Sequence, residues 1–154
     1  MTWIRFEPGE ATLLDPDALL TREGKSIAAG LDASTSRVIF FSHGWSCVFC
    51  RSLMQELAAI SGSLDAILLV VVPSQEGLPA SMPPGLHFLD DPQSRIWNEY
   101  ARIFEFELPG KLMLFVLNQY NVPVRAWVGA EATEDDLVGK ICQALDFIQI
   151  QCPE

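Results

Sequence analysis

Four residues set the chemical question in this sequence: Cys47-Val48-Phe49-Cys50. Two thiols separated by two residues can exchange between dithiol and disulfide, the first sulfur attacking and the second resolving. They can ligate a metal, usually zinc, if further ligands converge on them. They can also be buried as small apolar side chains with no chemistry. The neighbouring residues discriminate. The pair falls where an apolar, β-branched stretch, Arg37 to Ser42, hands over to a helical pattern from Val48 to about Ile60. Cys47 is thereby placed at a helix N-terminus, where unpaired N–H groups and the positive end of the dipole favour a thiolate. Such placement lowers a cysteine pKa from about 8.5 by one to several units. Cys47, nearer the helix end, is the expected nucleophile, and Cys50, one turn in, the expected resolving thiol. Arg51 follows directly and adds positive charge. His43 lies four residues before Cys47 and can donate to a thiolate or relay a proton near neutral pH. Trp45 is positioned to shield the pair from water. Zinc needs two more ligands, but Cys142 and Cys152 lie near the C-terminus with nine residues between them, and His43 and His87 look isolated. No metal and no cofactor is expected.

The elements that must hold this pair can be read from periodicity. Arg37-Val38-Ile39-Phe40-Phe41-Ser42 has the character of a buried strand. Leu53, Leu57 and Ile60 share one face of the following helix at i, i+4, i+7 spacing, and Gly62 is its candidate stop. Ala66 to Val72 is continuously apolar, as a parallel strand covered on both faces should be. Residues 73–85 contain four prolines and two glycines and predict a loop. Leu86 to Leu89 is a candidate short strand. Asp91-Pro92 predicts a helix start, with Asp91 as N-cap, Pro92 at the first helical position and the helix running to about residue 104. Leu112 to Leu117 is a strand, and Val122 to Val128 returns antiparallel to it. Thr133 to Asp136 opens a last helix to about Gln151, with Leu137, Ile141, Leu145 and Ile148 on one face. Ala11 to Leu14 and Lys25 to Ala29 suggest an N-terminal hairpin. Strand–helix–strand implies a parallel pair joined by a right-handed crossover, so an α/β architecture is expected: a mixed central sheet with helices on both faces.

The chain has 154 residues, 49% hydrophobic and 19% charged, with a net charge of −10. One domain over residues 1–154 is expected, with 1–36 as an N-terminal extension and 37–151 as the core. Its ten basic residues are scattered from Arg5 to Lys140. Nucleic acid and anionic membrane, which require concentrated positive charge, are excluded as expected partners. No apolar run is long enough to span a bilayer, and Arg5, Glu7, Pro8 and Glu10 interrupt any signal-peptide core, so a cytoplasmic location is expected. A reducing compartment argues against a permanent disulfide framework among the four cysteines.

The segment His43-Gly44-Trp45-Ser46-Cys47-Val48-Phe49-Cys50-Arg51 resembles the active-site segment of thioredoxin-superfamily proteins, in which an aromatic residue precedes the C-x-x-C pair and a basic residue often follows. The longer stretch is similar to the peroxiredoxin-like branch, the alkyl-hydroperoxide-reductase, thiol-specific-antioxidant and redoxin group. The resemblance rests on Asp90-Asp91-Pro92 before a helix and on Phe115-Val116-Leu117-Asn118 running into a hairpin, and covers most of residues 11–150. It implies a thioredoxin fold and a thiol–disulfide oxidoreductase serving redox homeostasis, with peroxidase (antioxidant) activity as one alternative and a non-catalytic binding module as another. The implied partners are a protein disulfide, a small thiol or a peroxide, the chain being a monomer or homodimer. The resemblance also implies a proline facing the cysteines before the hairpin, for which Pro109 is the candidate. There are departures. Peroxiredoxins carry a proline seven residues, and a threonine or serine three residues, before the peroxide-attacking cysteine; here those positions are Phe40 and Gly44.

Overall fold

Strands as apolar as Ile67-Leu68-Leu69-Val70 can persist only where both faces of the sheet are covered, and that burial organises this protein. The computed structural model describes residues 2–5, 36–64, 66–73, 85–91, 93–94, 96–98, 112–118, 123–129 and 137–151. Its elements are β1 (Thr2–Arg5), β2 (Ser36–Phe41), α1 (Val48–Ile60), β3 (Ala66–Val72), β4 (Leu86–Asp90), β5 (Leu112–Leu117), β6 (Pro123–Gly129) and α2 (Leu137–Gln151). They build a six-stranded sheet of order β1-β6-β5-β2-β3-β4. β2, β3 and β4 run parallel, whereas β5 is antiparallel to both β2 and β6. The mixed sheet, the parallel crossover and the closing hairpin agree with expectation.

Alternation along each strand sorts the core into two layers. Val38, Phe40, Leu68, Val70, Leu114 and Val116 face α1 and α2 and form one cluster with Leu53, Met54 and Leu57 of α1. Leu137, Ile141, Leu145 and Ile148, the predicted face of α2, are all buried in the same cluster. On the opposite face Ile39, Phe41, Leu69, Val71, Met113 and Phe115 are buried too. There the Phe41 and Phe115 rings meet edge to face, with centroids 6.0 Å apart. Burying each such side chain contributes about 1.5–3 kcal/mol.

Three local features differ from expectation. β1 was not anticipated: four residues carry too little pattern to read alone, and their strand exists because they pair antiparallel along β6, from Thr2–Val128 to Arg5–Arg125. The expected hairpin at 11–14 and 25–29 lies outside the described residues. The helix placed at residue 92 starts later. Ser94 closes a turn onto the Asp91 carbonyl (3.1 Å) with φ of 55°, and the helical bond runs from the Asn98 N–H to the Ser94 carbonyl (2.9 Å). Asp91 still caps this helix, but from a distance. Its two carboxylate oxygens accept from the N–H groups of Ile96 (3.1 Å) and Trp97 (2.9 Å) across the intervening turn. Gly62 is no left-handed stop either; α1 ends at Ile60 and passes into a 3-10 turn, Ser61–Ser63. Among the described residues no helix is long and apolar enough to cross a membrane.

Candidate functional site

β2 is the strand at which the sheet reverses direction of growth: β3 and β4 extend from one side of it, β5, β6 and β1 from the other. Open α/β sheets bind ligands just beyond the carboxyl end of such a strand. The segment that leaves β2 there carries the cysteines.

Its path is set by a short turn. Ser42 remains tied to the sheet, its N–H and Oγ both donating to the Val71 carbonyl (2.9 and 3.2 Å). The same Oγ accepts from the Gly44 N–H (3.2 Å). Gly44 has φ of 103°, a left-handed conformation that a side chain would strain. The Cys47 N–H then closes onto the Gly44 carbonyl (3.3 Å). Cys47 itself is extended and acts as the N-cap of α1, where serine or threonine is usual. Its Sγ accepts from the Cys50 N–H (3.2 Å), and its carbonyl accepts from the Arg51 N–H (2.9 Å). The Cys50 Sγ accepts from the His43 N–H (3.4 Å). Each sulfur therefore faces a backbone donor, which is the arrangement a negatively charged sulfur needs.

No disulfide joins Cys47 and Cys50 in this structure. Their exposure differs in the direction that matters: Cys47 is 9% exposed and Cys50 0%. The Cys47 and Cys50 sulfurs and a ring nitrogen of His43 all lie within 4.8 Å of one another. His43, isolated in sequence terms, is thus brought back over the pair by the Gly44 turn. Trp45 is half-buried and packs against the core cluster that contains both cysteines. Arg51 is half-buried in the first turn of α1, and the bond that ties it to Cys47 is made by its backbone. Val48, between the cysteines, is 70% exposed. Pro109 and Cys152 lie outside the described residues, and Cys142 is half-buried on α2. Ser42 and Gly44 were not singled out as site residues by sequence reasoning. The Ser-x-Gly spacing is a turn signature that could have found them.

No protein-family model matches the sequence, and no curated protein is similar to it in sequence. Solved structures are similar in fold. Peroxiredoxin Q of Xanthomonas campestris superposes with a TM-score of 0.61 at 17% identity, over 86% of this chain and 90% of that one. The reduced 2-Cys peroxiredoxin of Plasmodium vivax gives 0.61 at 14% identity, over 80% and 82%. The thio-disulfide isomerase of Thermus thermophilus gives 0.54 at 21% identity, over 82% and 89%. The fold is the thioredoxin fold. Within it, the two departures from the peroxiredoxin pattern have physical content. Phe40, seven residues before Cys47, is wholly buried in the core cluster. Gly44, three residues before, offers no hydroxyl, and its φ of 103° suits glycine and not threonine. Neither position presents a polar side chain to the sulfur.

Proposed function

We propose that this protein is a thiol–disulfide oxidoreductase acting through Cys47 and Cys50. One observation carries the reading: two sulfurs within 4.8 Å at a helix N-terminus, unequally exposed and each facing a backbone N–H. The Cys47 thiolate attacks one sulfur of a substrate disulfide. The S–S bond breaks, a mixed disulfide forms, and the released sulfur takes a proton. The Cys50 thiolate then attacks the Cys47 Sγ and expels the second substrate thiol. Two electrons pass to the substrate, and the chain is left with a Cys47–Cys50 disulfide. Exposure sets the order, because the attacking sulfur must be reached from outside while the resolving sulfur need only reach Cys47. The C-x-x-C spacing supplies that reach, and the N-capping geometry supplies a donor to Cys47 in its charged form. In a reducing compartment such as the cytoplasm the pair rests as the dithiol and acts as reductant. Protein disulfides fit as substrates, since the exposed Val48 offers an apolar contact beside Cys47.

The test separates the two sulfurs. Cys50→Ser incubated with a disulfide substrate accumulates a mixed disulfide at Cys47, read by mass spectrometry. Cys47→Ser shows neither adduct nor turnover. Reductase activity that survives Cys47→Ser would overturn the assignment.

A thiol peroxidase is the second reading, favoured by the closer superposition on peroxiredoxins, at 0.61 to 0.64 against 0.54 for the isomerase. Here the Cys47 thiolate attacks a peroxide oxygen, the O–O bond breaks, and the departing alkoxide or hydroxide takes a proton. Cys50 then displaces water from the Cys47 sulfenic acid, giving the same disulfide. Phe40 and Gly44 supply nothing to polarise the O–O bond, which ranks this reading below the first. Rapid sulfenic acid formation at Cys47 with micromolar peroxide would reverse that ranking, and oxidation at the rate of an ordinary free thiol would reject the peroxidase.

A further inference from the structure

We propose that reduced Cys47 and Cys50, together with His43, form a three-ligand site for a thiophilic d10 cation, Zn2+ or Cu+. The site uses the sulfurs of the redox pair but does not depend on their turnover. Three ligand atoms of the right kind, two sulfurs and an imidazole nitrogen, lie mutually within 4.8 Å. With metal–sulfur bonds of about 2.3 Å and metal–nitrogen bonds of about 2.0–2.1 Å, ligand atoms around a tetrahedral ion sit about 3.5–3.8 Å apart. The cluster therefore needs to contract by about 1.3 Å at most, a displacement within reach of side-chain rotation, the histidine standing at the surface. Sequence spacing alone argues against this site, because it counts His43 as isolated. The left-handed Gly44 and the Ser42 Oγ that holds its N–H fold His43 back onto the start of α1.

Charge and access agree with the assignment. Two thiolates and a neutral imidazole around Zn2+ make an uncharged complex, which is the form a mostly buried sulfur pair tolerates best. Cys50 closes the inner side of the site, while His43 stands at the surface, so an ion enters and leaves from one direction. Two Cys and one His leave a coordination position of zinc open, whereas Cu+ accepts three ligands without a fourth. Binding releases the thiol protons and transfers no electrons. A sulfur bound to the cation cannot attack a disulfide, so the metal-loaded and disulfide forms exclude one another. The ion would hold the pair reduced and silent until removed.

The experiment uses the full chain with Cys142→Ser and Cys152→Ser, which removes the other two thiols. The reduced protein is titrated anaerobically with Co2+ as a spectroscopic probe of a zinc site, then with Zn2+, and separately with Cu+ against a chromophoric chelator. The expected result is one ion per chain, with thiolate-to-cobalt charge-transfer absorption that Zn2+ abolishes or, for a copper site, stoichiometric capture of Cu+. His43→Ala weakens binding by about tenfold or more, the scale seen when support around a metal is removed. His43→Cys, which returns a ligand, recovers it. Binding is lost in the Cys47–Cys50 disulfide form. Failure of the parent to bind either ion, or equal affinity in His43→Ala, overturns the inference. Disulfide reductase activity without metal binding would sink this inference alone, and metal binding without reductase activity would sink the redox reading alone.

Discussion

Gly44→Ala tests whether the turn that positions the dithiol is held as described. Gly44 has φ of 103°, and a Cβ built on it meets nothing within 4 Å. Steric collision is therefore absent, and the whole penalty comes from placing an L-residue in left-handed backbone, about 1–2 kcal/mol. Gly62 provides the control. Its Cβ also meets nothing within 4 Å, but its φ lies outside the left-handed range. Gly62→Ala should then stabilise by about 0.4–1 kcal/mol through the unfolded chain. The same chemical change, fewer than twenty residues apart, is expected to act with opposite signs. For a chain of this size 1 kcal/mol moves Tm by about 2–4 °C, so Gly44→Ala should melt about 2–8 °C below the parent and Gly62→Ala slightly above it. The assay is thermal unfolding of the reduced protein by circular dichroism, repeated in urea to check that the slope with denaturant is unchanged. Should the turn relax instead of bearing the strain, the cost reappears as loss of the bonds from Gly44 to Ser42 and from His43 to Cys50. Either route lowers the stability of the dithiol form. Equal melting of the two variants, or a Gly44→Ala protein as stable as the parent, would refute the reasoning.

Two further outcomes follow from the described contacts. Asp91→Ala strips the acceptors from the buried Ile96 N–H and the half-buried Trp97 N–H and should cost about 1–3 kcal/mol in urea unfolding, whereas Asp91→Asn, which keeps one acceptor, should cost less. Val48→Asp alters an exposed side chain and should leave stability within about 0.5 kcal/mol, while slowing reduction of a protein disulfide more than that of a small aromatic disulfide. Equal slowing with both substrates would remove Val48 from any docking role.

Elements whose identity depends on their own residues were legible in the sequence. The apolar run at Ala66–Val72 can only be a strand buried on both faces, and α1 shows its inward face through Leu53 and Leu57. α2 does the same through four residues that are all buried. The candidate site was legible to the same extent, because Cys47 and Cys50 need only the strand-to-helix junction to become an N-terminal pair. The helix after Asp91 was misplaced because a carboxylate that caps from five and six residues away looks, in sequence, like one that caps directly.

What the sequence by itself determined, then, is the dithiol and the local elements around it, since strand and helix periods and a C-x-x-C spacing are short-range properties. The tertiary structure alone decided three things. It put β1 on the sheet, because a four-residue strand exists only through the hydrogen bonds of its partner β6. It put β5 beside β2, which makes the end of β2 the reversal point of the sheet and so the place where an accessible site forms. It brought His43 to the two sulfurs through the sign of one backbone angle at Gly44, and proximity of that kind depends on the path of the chain in space.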